Sequence, residues 1–261
     1  MIRHEQNWTT LALVLIPSVV MLLDTGCGRT AAPQSESKAL AESKTLYDRA
    51  ATFGSEGKFL EARDLLRRAR THTPRRRAIA ASLLFAEDGA ESRIPVDAGK
   101  QLFGSILAGN RGDWSVALSL ADDAITLAPM YAPAYLHLGT IHAQLMTARG
   151  ADQQHLQQAI KAYSKAIEIK RDYAEAHFNL GVAWAATKQW GQAGFQLESA
   201  KRIAAREKNV DLAEECDKIL DSFPSRLFFF GPGGQICRAM VPSAGTLLEE
   251  NAYRRMGGCP L

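Results

Sequence analysis

The stretch AEAHFNLGVAWAATKQWGQA, residues 174–193, decides how this chain of 261 residues folds. Small and large apolar residues alternate in it at helical spacing until the pattern breaks at Trp190-Gly191. Such a stretch is either an ordinary amphipathic helix or one unit of a repeat. Four segments share an alanine, a second alanine seven residues later, and an apolar or small residue between them; they are 57–74, 112–129, 155–172 and 188–205. This recurrence favours the repeat.

The four segments resemble the second helix of the tetratricopeptide repeat, a helical hairpin of about 34 residues. The family's places for Leu-Gly, aromatic residues and Ala fit units at 43–76, 98–131, 132–173 and 174–205. In the third unit, ARGADQQH (148–155) is an insertion between the two helices. The resemblance implies an all-α solenoid over 43–205. Small residues at the eighth and twentieth places let the two helices approach closely, and stacking buries the apolar face that one hairpin leaves open.

Two segments beside the units lie outside the repeat register. Residues 77–97 contain a short helical stretch, about 77–88, followed by a turn-rich link with Pro95; it is either a degenerate helix or an extension of the preceding one. Residues 206–223 predict an amphipathic capping helix with Leu212, Cys216, Ile219 and Leu220 on one face. Such a helix would cover the open end of the solenoid.

The tail, residues 224–261, has a different character. RLFFFGPGGQICRAMV (226–241) predicts a β-hairpin with a four-residue Gly-Pro-Gly-Gly loop. An isolated hairpin is marginal in water, so Phe228–Phe230 must pack on something. They pack either on the capping helix or on the concave face of the solenoid. A disulfide between Cys237 and Cys259 would staple this tail, whereas Cys216 is expected to be buried and free.

The N-terminus carries the features of an export signal over residues 1–26. Its apolar run, Leu11 to Leu23, is thirteen residues long and too short to span a bilayer. The run ends in LLDTGCGRT (22–30), which resembles a bacterial lipoprotein signal and implies lipid on Cys27, followed by a flexible tether over 27–42. The resemblance implies an outer-membrane lipoprotein facing the periplasm. The alternative is a soluble exported protein cleaved near Gly26.

No motif for catalysis is found in the sequence. A Gly-x-Ser-x-Gly turn, a Gly-rich phosphate loop and a His-Glu-x-x-His helix are all absent. His137 and His142 stand five apart and so do not share a helix face for metal binding. We therefore expect no catalytic residues, no metal, no cofactor and no small-molecule substrate. The alternative is an enzyme or enzyme subunit whose activity is carried by the tail, which contains no histidine.

Charge narrows the class of partner. The net charge of +3 is too small to demand nucleic acid. Arginines gather near the end of the first unit, where they form either a solvated face or a contact for anionic headgroups or an acidic partner. This cluster comprises Arg63, Arg67, Arg68, Arg70, Arg75, Arg76 and Arg77.

The family resemblance also predicts a binding groove, because the first helices of such units line a concave surface. At its fifth and ninth places this chain has Tyr47, Ala51, Leu102, Ile106, Leu136, Thr140, Phe178 and Val182. The Lys and Asn residues that clamp a carboxylate in chaperone-binding members are absent. We expect an apolar groove for a peptide or helix with hydrophobic anchors, unless the chain's own tail occupies it. Its partner-binding residues would be Tyr47, Leu102, Ile106, Leu136, Phe178 and Val182.

These observations predict a non-enzymatic scaffold, tethered to the membrane by its lipid anchor, that recruits protein partners in bacterial envelope assembly. The candidate processes are pilus biogenesis, secretion, outer-membrane protein insertion and peptidoglycan-synthase regulation.

Overall fold

The computed structural model describes residues 34–73, 77–148 and 152–223, together with two short strands at 229–230 and 236–237. The described part is almost entirely helical, as the sequence predicts. Its ten helices are α1 (Gln34–Ser55), α2 (Phe59–His72), α3 (Arg77–Ala90), α4 (Val96–Arg111), α5 (Trp114–Leu127), α6 (Ala132–Ala148), α7 (Gln153–Ile169), α8 (Ala174–Ala186), α9 (Trp190–Arg206) and α10 (Val210–Asp221).

Four antiparallel helix pairs form the repeat units, and small residues hold each pair together. The pairs are α1 with α2, α4 with α5, α6 with α7, and α8 with α9. The two repeating alanines of every second helix have no exposed surface. A Cβ at Gly139 would lie 2.5 Å from the Tyr163 ring, so the helices of the third pair approach as closely as glycine permits. The predicted reason for the alanine spacing is confirmed.

The turns inside three of the hairpins use the same backbone conformation. Gly57 and Gly112 have φ values of 82° and 85°, in the left-handed region that glycine adopts without strain. The equivalent place in the fourth hairpin is held by Lys188, whose φ of 59° is costly for a residue with a side chain. Sequence variation at this place therefore leaves the turn geometry unchanged.

The hairpins stack in chain order and end on the predicted capping helix. α5 packs on α6, α7 on α8, and α10 covers α9. Leu212, Cys216 and Ile219 of α10 are buried in the same apolar cluster as units three and four. The rings of Trp190 and Phe223 lie 5.1 Å apart and close this end.

The segment between the first two units forms a separate helix, α3. It begins at Arg77, ends at Ala90 and is followed by a short link whose Pro95 precedes α4. It is therefore an inserted helix and not a continuation of α2. Units one and two stack through their first helices, since α1 packs directly on α4.

The tail contributes the two strands, β1 (Phe229–Phe230) and β2 (Ile236–Cys237). They pair antiparallel, with Phe229 opposite Cys237 and Phe230 opposite Ile236, so the predicted hairpin is confirmed, but five residues (231–235) separate the strands instead of four. The backbone of β2 lies beside α9, the second helix of unit four. The Gly-Pro-Gly-Gly loop and the side chains of Phe228–Phe230 lie outside the described residues.

The concave face and its resident helix

The helix α3 packs mainly on α2, and it also contacts the first helices of the units, whose shared surface we call the concave face. Its Ser82 hydroxyl lies 3.3 Å from the Tyr47 hydroxyl of α1. Its Phe85 ring lies edge-on to two rings, 6.2 Å from Phe103 of α4 and 5.8 Å from His137 of α6. Since Phe103 and His137 occupy the sixth place of units two and three, α3 crosses equivalent positions of successive first helices.

The N-terminal end of α3 reaches the far end of the solenoid. The guanidinium of Arg77 lies 3.9 Å from the centre of the Phe178 ring on α8, and it pairs with the carboxylate of Glu215 on α10. Burial lowers the pKa of Arg77 to about 10. Its Nη1 atom is buried without a hydrogen-bond partner. α3 thus contacts the first helix of every unit and the capping helix.

The C-terminal end of α3 is fixed by a buried carboxylate. The Tyr131 hydroxyl donates a hydrogen bond of 2.6 Å to Asp88, and Arg93 lies 2.9 Å from the other oxygen of the same group. Burial and this bond raise the pKa of Tyr131. The Phe59 ring fills the space beside Gly89, where a Cβ would lie 2.7 Å from it. Polar contacts therefore hold both ends of the helix.

The middle of α3 is apolar and joins the core of the first two units. Ile79, Leu83 and Phe85 belong to the same buried cluster as Leu102 and Ile106 of α4. At typical values, burying each large side chain contributes about 1.5–3 kcal/mol. The concave face of units one and two is consequently part of the protein's interior.

The predicted groove residues lie on the first helices, but five of the six are not accessible. Leu102, Ile106, Leu136, Phe178 and Val182 are 0–7% exposed, and only Tyr47 is half-buried. The expectation that these side chains line an open groove is wrong for those five. For Leu102 and Ile106 the cause is the apolar face of α3, and for Phe178 it is the Arg77 guanidinium. Leu136 and Val182 are buried within the cluster of units three and four. Partner binding by these residues stays a prediction.

The structure separates the arginine cluster into inward and outward members. Arg77 points into the protein, whereas Arg63 pairs with Asp64, and Arg67 with Glu87 of α3. Arg68 and Arg70 are exposed, and residues 75 and 76 lie outside the described part. Sequence reasoning missed the role of Arg77 because its contacts are more than 100 residues away. The spacing of Ile79, Leu83 and Ala86, at i, i+4 and i+7, was the available signal for a buried helix.

The two histidines of α6, His137 and His142, pack against neighbouring helices of the solenoid. Ser105 donates to the Ala117 carbonyl at 2.7 Å, so the Nε2–H of His137 is the donor in its 3.0 Å bond to the Ser105 hydroxyl. Burial lowers the pKa of His137 to about 4. His142 is hydrogen-bonded to His155 at 3.2 Å between their Nδ1 atoms. Among the described residues, no three His, Cys, Asp or Glu side chains are placed to hold a metal ion.

Comparison with known proteins identifies the family of the repeat. A family model for the TPR (tetratricopeptide) repeat matches residues 151–187, which cover α7 and α8. The other described units have the same arrangement of two paired helices. The chain therefore contains a tetratricopeptide repeat. No curated protein matches this TPR protein at a significant level.

Several solved structures show limited similarity to this chain. The TPR2B domain of yeast Sti1, in complex with pHsp70, is 24% identical, with 49% of this chain and 95% of that chain covered and a TM-score of 0.44. The TPR2AB domain of yeast Sti1, in complex with pHSP90, is 19% identical, with 83% and 79% covered and a TM-score of 0.44. MamA is 19% identical, with 67% and 87% covered and a TM-score of 0.39.

Several predicted sites lie outside the described residues of the TPR protein. The export signal, Cys27 and Cys259 are not described, nor is the side chain of Cys237, so the lipid anchor and the disulfide stay predictions. Cys216 is a buried free thiol, as expected, and burial raises its pKa to about 12. Within the described ranges, every helix is too short or too polar to cross a membrane.

Proposed function

We propose that this TPR protein is a non-enzymatic scaffold that binds protein partners in bacterial envelope assembly through its concave face. One observation carries the proposal: the concave face accommodates a helix, because α3 contacts one side chain on each of the four first helices. Helix-in-groove recognition uses the same geometry, with apolar anchors spaced along one helix face. A folded partner that presents such a helix is the expected ligand.

The proposed location is the periplasmic side of the outer membrane. The apolar run and Cys27 support an exported lipoprotein. Residues 34–42 of the predicted tether belong to α1, so residues 28–33 join Cys27 to the helical part. A connection this short would keep the solenoid close to the membrane surface. A lipid anchor of this kind would concentrate the scaffold where envelope proteins assemble.

The proposal is tested by affinity purification of the full chain from detergent-solubilised membranes. Asn179 occupies the sixth place of unit four, the position at which Phe103 and His137 meet α3, and it is partly exposed. Asn179→Arg places a charge on the concave face, whereas Gln192→Arg makes the same change on the exposed side of α9.

A partner that binds the concave face should be recovered with the wild type and with Gln192→Arg. Its recovery should fall at least tenfold with Asn179→Arg, and circular dichroism should give the same helicity for all three proteins. Equal recovery with both variants would place the binding surface elsewhere. Recovery no higher than from a tag-only control would contradict the scaffold function.

A further inference from the structure

We infer that α3 is an exchangeable occupant of the concave face, and that the partner is an amphipathic helix with the same chemistry as α3. That chemistry is a cation at the helix start, followed by large apolar residues at the third, seventh and ninth positions. In α3 these are Arg77, Ile79, Leu83 and Phe85. The inference rests on the proposed function and names the class of partner.

Units one and two also contact each other directly. α1 packs directly on α4, and the Phe103 ring of α4 lies against Gly54 of α1, where a Cβ would be 2.2 Å away. The Phe59 ring of α2 lies 6.2 Å from the Phe103 ring and extends this contact. These direct contacts are retained when α3 leaves the concave face, although the Phe103 and Phe59 rings then lose their contacts with Phe85 and Gly89 of α3.

The two ends of α3 are held by polar contacts of unequal quality. At the C-terminal end, Asp88 accepts a hydrogen bond from the Tyr131 hydroxyl and forms an ion pair with Arg93. At the N-terminal end, Arg77 pairs with Glu215 but leaves its Nη1 atom buried without a partner, which is a cost to the bound state. The N-terminal end is thus the weaker contact, and opening of α3 starts there.

The surroundings of Arg77 select the charge of an incoming helix. Glu215 and the partly buried Glu175 lie around the guanidinium, and the Phe178 ring offers its face to a cation. A helix with Lys or Arg in its first turn meets both carboxylates and the aromatic face. A helix with an acidic first turn meets two like charges and is excluded.

The exchange is tested with the full chain and a fluorescent peptide of residues 77–90, followed by anisotropy. In the wild type the resident helix competes at a high effective concentration, so the peptide binds weakly. Phe85→Ala in the chain removes the contacts with Phe103 and His137 and should tighten peptide binding at least tenfold. Leu84→Ala truncates a half-buried residue of the same helix and serves as the matched control, with a change below threefold expected.

The peptide has its own control. A version with Ile79 and Phe85 both replaced by Ala should bind the Phe85→Ala chain at least tenfold more weakly than the native sequence does. Equal binding of the two peptides would mean that they do not occupy the concave face, which overturns the inference.

A second variant of the chain tests the exchange of α3 if Phe85→Ala does not fold. Arg77→Met releases only the N-terminal end of α3 and should tighten peptide binding about threefold or more. If both variants are folded and neither binds the peptide better than the wild type, α3 is permanent core. If both are unfolded, the fold requires α3, which equally excludes exchange. Recovery of a partner in the affinity purification would leave the scaffold function standing in either case.

Discussion

The close approach of α8 and α9 at Gly181 leads to a stability prediction with a matched control. A Cβ at Gly181 would lie 2.8 Å from Leu197 Cγ and 3.1 Å from the backbone oxygen of Ala193. Leu197 has no exposed surface, so it has no space into which it can turn. Gly191 also lies in a helix of this hairpin, and a Cβ there meets nothing within 4 Å. Both glycines therefore have a helical backbone, but only Gly181 has neighbouring atoms where a Cβ would lie.

The expected magnitudes follow from two opposing terms. Replacing a helical glycine by alanine gains up to about 1 kcal/mol of helix propensity. Overpacking a filled site costs about 1–3 kcal/mol. Gly191→Ala gains helix propensity without overpacking, whereas Gly181→Ala gains the same propensity but also overpacks the contact between α8 and α9. We expect Gly181→Ala to be less stable than Gly191→Ala by about 2 kcal/mol, which corresponds to roughly 4–8 °C in Tm for a domain of this size.

Urea unfolding followed by circular dichroism at 222 nm measures this difference. The slope of the free energy of unfolding against urea should be the same for both variants, so that the midpoints compare stability directly. Equal midpoints would refute the close contact at Gly181. A urea midpoint lower for Gly191→Ala than for the wild type would refute the assumption that glycine in the first turn of α9 has only a backbone cost.

Three further predictions follow from other parts of the chain. Cys27→Ser should move the protein from the membrane to the soluble envelope fraction and abolish incorporation of labelled fatty acid; an unlabelled wild type would exclude lipidation. Tyr131→Phe leaves the buried Asp88 without its 2.6 Å donor and should cost about 1–3 kcal/mol in urea unfolding, whereas Tyr135→Phe, an exposed hydroxyl, should change stability by less than about 0.5 kcal/mol. The His137 pKa of about 4 in the folded state lies below the ordinary value, so the unfolded state takes up its proton first as pH falls. His137 alone should therefore lower the free energy of unfolding by about 2 kcal/mol between pH 7 and 5, and His137→Gln should lose this part of the pH dependence. His142, whose pKa is also lowered to about 4, should keep its own part in the variant.

The repeat architecture could be predicted from sequence because its cause is local. An alanine pair seven residues apart, such as Ala193 and Ala200, marks a second helix whose partner lies a few residues earlier in the chain. Both alanines of this pair are completely buried. The capping helix was predictable for the same reason, since its apolar face follows directly from the spacing of Leu212, Cys216 and Ile219.

The position of α3 could not be predicted in this way. Its existence as a helix was within reach, but its contacts with Phe178 and Glu215 join residues that are distant in the chain, and no local pattern specifies them. The repeat template compounds the difficulty, because it describes residues 43–76 and 98–131 and treats the 21 residues between them as a link. The open groove was an extrapolation from units in which no helix is inserted.

The stretch of residues 174–193 nevertheless contained a sign that the concave face is covered. A helix that borders an open groove keeps a polar or solvated stripe, whereas a helix that is apolar all round has neighbours on every side. In AEAHFNLGVAWAA, Glu175 and Asn179 are the only residues with amide or carboxylate side chains, and both fall at concave places that are partly exposed. Phe178 lies between them, is 1% exposed, and is capped by the Arg77 guanidinium. The polar stripe of an open groove is therefore present at Glu175 and Asn179, whereas the large aromatic residue between them would be bare in such a groove and is instead covered by Arg77. A partner's helix would have to displace Arg77 to contact Phe178.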